Sequence, residues 1–74
     1  MKQLRFRVTD CSYNDLIRAA RKCGFVVKQG GKHAKIETAD GKFITTVPRH
    51  NPVKRETAKG IVESYNQFGA KISY

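Results

Sequence analysis

His33 is the residue of this chain to which an acid/base role is assigned, because near neutral pH an imidazole can take a proton as a base or deliver one as an acid. One substrate class needs little more. RNA carries its own nucleophile, the 2′-hydroxyl, so cleavage of a phosphodiester can run on a base and a cation that offsets the charge gathering on phosphorus. His33 follows the glycine-led run Gly30, Gly31 and Lys32, and it lies close in sequence to Lys28, Lys32 and Lys35. Those three ammonium groups would attract a phosphate, and their positive charge favours the neutral imidazole, hence the base. His50 follows Arg49 after Pro48, in a segment with loop composition, where both side chains can touch phosphate. Lys54, Arg55 and Lys59 open the last helical pattern, which puts cations at the positive end of a helix dipole. That is poor for the helix and good for binding phosphate. The plainer reading of the same residues is a solvated strand end at His33 and a solvated basic face along the last helix.

Metal chemistry is not expected. Cys11, Cys23, His33 and His50 are four zinc-compatible residues, but they lack the close paired spacing that presets a tetrahedral site. A single cysteine pair is also far from the dense framework of small secreted domains, so reduced thiols are expected. No phosphate-loop or dinucleotide pattern surrounds Gly30, Gly31 or Gly41, and no organic cofactor is expected.

The elements that must position these residues follow from hydrophobic period. Leu4, Phe6 and Val8 alternate with Arg5, Arg7 and Thr9, the pattern of a strand with one wet face. Ser12 followed by Asp15 forms an N-cap signal, and Tyr13, Leu16, Ile17, Ala20 and Cys23 repeat at helical spacing up to Gly24. Phe25, Val26 and Val27 read as a strand that Gly30 and Gly31 reverse, with positive φ expected at the turn. In the next strand Ala34 and Ile36 face inward, and His33, Lys35 and Glu37 face outward. After Asp40 and Gly41 a third strand runs from Phe43 to Val47 and stops at Pro48. Ala58, Ile61, Val62, Tyr65 and Phe68 then mark a second helix over Lys54 to Phe68. In the tail, Ile72 and Tyr74 alternate and can pair with the leader strand. Tyr13, Phe25, Phe43, Tyr65 and Phe68 fall on core stripes, which leaves Phe6 and Tyr74 as the exposed aromatic candidates.

The expected fold is therefore α+β, in the order α-β-β-β-α. A three-stranded antiparallel sheet carries two helices on one face, with extra terminal strands from the leader and tail. That is the arrangement of double-stranded RNA-binding domains. At 74 residues one domain spanning 1–74 is expected. Fifteen Lys and Arg against six Asp and Glu give a net charge of +9, which points to a polyanionic partner with nucleic acid foremost. No apolar run reaches signal-peptide or membrane-span length, so a cytoplasmic protein without a membrane partner is expected.

Against this order of elements, Gly24-Phe25, Gly30-Gly31-Lys32-His33, Asp40-Gly41, Val47-Pro48-Arg49-His50 and Thr57 with Ile61 form one series. That series resembles the HicA (YcfA-like) mRNA interferase toxins over about Asp15 to Gly69, with the family core spanning about 12–69. The resemblance implies a fold like that of double-stranded RNA-binding domains, metal-independent cleavage of mRNA, and inhibition by a HicB-like antitoxin. It also implies a catalytic histidine in a Gly-Ser-His motif, which His33 matches. Lys32 stands where the family usually carries Ser. Two other classes stay open: a noncatalytic RNA- or DNA-binding module on the same scaffold, and a basic domain that binds an acidic protein.

Overall fold

The computed structural model describes residues 4–74. The chain runs β1 (Leu4–Arg5), α1 (Tyr13–Lys22), β2 (Val26–Gln29), β3 (His33–Glu37), β4 (Phe43–Pro48), α2 (Arg55–Gln67) and β5 (Ile72–Ser73). β2, β3 and β4 form an antiparallel sheet in that order, and β1 pairs with β5 in a separate two-stranded parallel sheet. The α-β-β-β-α core and the pairing of tail with leader are as expected from sequence. The leader strand is shorter than its alternation suggested, although Phe6 N–H extends the pairing by donating to the Ser73 carbonyl at 2.8 Å.

Each helix is closed by local chemistry. Ser12 caps α1 through a complete capping box: its side chain accepts from Asp15 N–H, and the Asp15 carboxylate accepts from Ser12 N–H. Gly24, at φ 81°, ends α1 by letting Phe25 N–H reach back to the Ala20 carbonyl. Gly69, at φ 102°, does the same for α2, where Ala70 N–H bonds the Tyr65 carbonyl. The Asn66 side chain then holds β5 from both sides, donating to the Ile72 carbonyl and accepting from Ile72 N–H. Lys54, expected inside the second helix, is its N-cap residue, and no side chain caps that end.

The core lies between the helices and one face of the sheet. Leu16, Ile36, Val47, Val62 and Tyr65 are fully buried, each side chain worth about 1.5–3 kcal/mol of burial. Tyr65 ties the layers together: its ring packs 5.6 Å from that of Phe25 and its hydroxyl donates to the Leu16 carbonyl at 3.1 Å. Burial pushes that phenol far above the ordinary tyrosine range.

Glu37 faces the open side of the sheet, as expected, but the Lys28 and Lys35 side chains reach over it there and leave it buried. Three other expectations change. Phe43 and Phe68 were assigned to the core but are 53% and 39% exposed, and Phe6, expected outside, packs half-buried against the core. Phe43 lies opposite Glu37 on the open sheet face, which no helix covers. Neither glycine of the β2–β3 turn has positive φ; Gly30 is required instead by close approach, since a Cβ there would lie 2.8 Å from the His33 carbonyl oxygen. Finally, no helix among the described residues is long and apolar enough to cross a membrane.

Candidate nucleic-acid cleft

His33 begins β3, directly after the turn that Gly30 allows to fold tightly, and it is exposed. In the sheet it pairs with Pro48, the last residue of β4. The chain that leaves Pro48 carries His50 and Asn51 back across the end of the sheet to the start of α2. Two long-range hydrogen bonds fix this segment against the entry to α1: Tyr13 N–H donates to Asn51 Oδ1 at 2.9 Å, and Val53 N–H donates to the Cys11 carbonyl at 2.9 Å. Asn51 thereby satisfies one of the amide donors that α1 cannot satisfy internally.

The outcome is an open cleft of about 610 Å³ lined by His33, Pro48, His50, Asn51, Lys54 and Thr57, with Pro52 and the buried Val53 completing it. Both histidines of the chain therefore face one space, although seventeen residues separate them in sequence. Lys54 adds a cation at the uncapped end of α2, where backbone N–H groups and the helix dipole also favour negative charge. Arg55 and Lys59 lie on the exposed surface of the same helix, and Lys32 is exposed in the turn beside His33.

The remaining basic candidates are engaged elsewhere. Lys28 and Lys35 are cross-strand neighbours, and both reach Glu37, at 3.1 and 3.3 Å. Hydrogen bonding from Lys28 first, and from Lys35 after it, holds the Glu37 carboxyl below the usual glutamate range despite its burial. Lys35 also sits over the Phe43 ring at 5.8 Å. Arg49 turns away from the cleft: its guanidinium donates to Gln29 Oε1 and to the Gly30 carbonyl, and it lies 5.8 Å from the centre of the Tyr13 ring. Its place is to brace the turn that presents His33.

Asn51 and Thr57 were not among the site residues read from the sequence. Thr57 did belong to the motif series, near the start of the second helix, and that position was the available signal. Asn51 gave none, because a polar residue in a loop is indistinguishable from a solvated one until the loop is folded.

A family model described as the HicA toxin of bacterial toxin-antitoxin matches residues 13–69. The chain belongs to the HicA toxin family. The match covers α1 through the end of α2, so the whole cleft lies within it and the β1–β5 pair lies outside it. Membership in the HicA family carries a toxin–antitoxin function and an antitoxin partner. No curated protein and no solved structure matches the chain.

Proposed function

We propose that this HicA-family protein is an endoribonuclease that cleaves mRNA in the cytoplasm with His33 and His50 as its proton-transfer groups, using no metal or organic cofactor. The observation that supports this most is the convergence of both histidines with Lys54 in one cleft. A strand of RNA laid there is cut by its own 2′-oxygen. That oxygen bonds to phosphorus as the bond from phosphorus to the 5′-oxygen breaks. His33 takes the 2′-hydroxyl proton, and protonated His50 gives one to the departing 5′-oxygen. The products are a 2′,3′-cyclic phosphate and a free 5′-hydroxyl, and no protein nucleophile is consumed. Lys54, with Lys32 at the turn, offsets the added negative charge on the phosphoryl oxygens. Arg55 and Lys59 extend the phosphate-binding surface along α2. A HicB-like antitoxin is the partner that would shut this cleft.

A second reading, a noncatalytic RNA-binding module, draws on Lys32, which puts an ammonium group beside His33 where the family usually has Ser. Incubating a mixed-sequence RNA with wild type and with His33→Ala, chelator present, separates the two. Cleavage by wild type should fall by about 10²- to 10⁴-fold in the variant. Circular dichroism should show an unchanged fold, because His33 is exposed. Equal cleavage by both proteins would remove His33 from the chemistry. Absence of cleavage by wild type, with RNA binding retained, would favour the module.

A further inference from the structure

The leader, outside the family match, builds a second basic feature with α1. Arg5, Phe6 and Arg7 line a groove together with Arg18, Ala19 and Lys22, which fall within about one turn of α1. Four cations thus line a groove holding one acid, Asp15. That carboxylate is already engaged by Ser12 N–H at 3.0 Å and faces Arg18 at 3.7 Å. The Arg18 pair is well exposed, so it contributes little and yields readily to a competing anion. On its other side the same leader ridge, Arg5 to Arg7, borders a second shallow groove with Ser73 and Tyr74. Tyr74 is 49% exposed.

We infer that this ridge is a second RNA-contact site, in which the guanidinium groups and Lys22 hold phosphates of a single strand while Tyr74 offers a stacking surface to a base. Forked arginines suit phosphate oxygens, and exposed aromatics beside cations suit unpaired bases without regard to sequence. An acidic protein segment would use the arginines but has less use for the half-exposed Tyr74 ring, whose hydroxyl lies beside Glu63. The groove and the cleft are both linked to α1. α1 touches the cleft at its N-terminus through Tyr13 and Asn51, and the groove follows that helix from Asp15 to Lys22. Since the molecule measures 28 × 28 × 16 Å along its principal axes, a strand of about eight stacked nucleotides spans it. The inference rests on the proposed function only for the identity of the polyanion.

The test is binding of a labelled 12-nucleotide RNA, followed by fluorescence anisotropy across a salt series, in the His33→Ala background so that nothing is cut. Replacing Arg5, Arg7 and Lys22 together with Gln should lower the log–log salt slope by about 2 and weaken binding roughly tenfold. Replacing Arg5 and Arg7 with Lys, leaving Lys22 in place, should keep most of the slope. Tyr74→Ala should weaken binding at every salt concentration, with Tyr74→Phe close to the parent. An unchanged slope in the triple Gln variant, with a thermal midpoint like the parent's, would overturn the site. So would RNA binding that is unaffected while binding of polyglutamate is lost, which would make the ridge a protein-docking surface. If wild type binds RNA through this ridge but never cleaves it, the proposed reaction fails and the groove stands. If it cleaves and the triple variant binds like the parent, the reverse holds.

Discussion

The cleft at the end of the sheet and the open face of the same sheet draw on the same residue types, yet they hold charge in opposite ways. On the open face Lys28 and Lys35 converge on the buried Glu37, so two positive charges are partly compensated within the fold and their stems shield a carboxylate. At the cleft Lys54, and in the turn beside it Lys32, form no ion pair among the described residues, and the two histidines line one open space. Formal charge therefore overstates the available charge. Of the basic residues that sequence spacing put near His33, Lys28 and Lys35 on the strands share one carboxylate, Glu37, whereas Lys32 on the turn has no ion-pair partner among the described residues.

The strongest attack on this contrast is at the cleft. His50→Ala should slow cleavage of ordinary RNA by about 10²-fold. A dinucleotide-like substrate whose 5′-oxygen is replaced by a nitrophenolate leaving group should recover most of that loss, since such a group departs without a proton. Equal losses on both substrates would strip His50 of its role as acid and leave it a phosphate contact. A smaller effect separates the turn's two glycines. Gly30→Ala forces a methyl to within 2.8 Å of the His33 carbonyl oxygen, and should lower turnover about tenfold by displacing the histidine. Gly31→Ala meets nothing within 4 Å and should leave turnover and thermal midpoint near wild type.

Glu37→Gln breaks the contrast from the other side. Releasing both lysines should steepen the salt dependence of RNA binding by about 1.4 log units per decade and tighten binding at low salt. An unchanged slope would mean that the open face takes no part in RNA contact even when its charge is set free. The smallest expected effect is on pH stability. Glu37 has its folded pKa depressed, so its contribution is present above the ordinary glutamate range and is lost as pH falls through the lower folded value. The thermal midpoint should therefore fall on acidification below about pH 4, and Glu37→Gln should flatten that fall.

How far the molecule could be read in advance varied with the range of the forces involved. The capping box at Ser12 and Asp15, the helix stop at Gly24 and the turn at Gly41 are local, and the sequence showed each of them. Ala34 and Ile36 were legible as an inward face because alternation is a property of the strand itself. The burial of Glu37 was not, since it depends on Lys28 from β2 and Lys35 from β3 both reaching over an outward-facing carboxylate. Phe43 misled for a related reason: an aromatic in a strand usually marks the core, and only the packed helices reveal which sheet face is left open.

Composition, hydrophobic period and the motif series determined the α-β-β-β-α order, the basic character and the place of His33 at a glycine-led turn, because each is written in neighbouring residues. Tertiary structure alone decided which charges are available and which residues meet. His50 joins His33 because β4 pairs with β3 and the loop after Pro48 is pinned to Tyr13 and Cys11. Lys28 and Arg49 are engaged by groups across a strand pair or on the far side of a turn, whereas Lys35 meets Glu37 two residues along its own strand. An ion pair or a cleft needs groups within a few ångströms in space, and the distance between them along the chain carries almost no record of that.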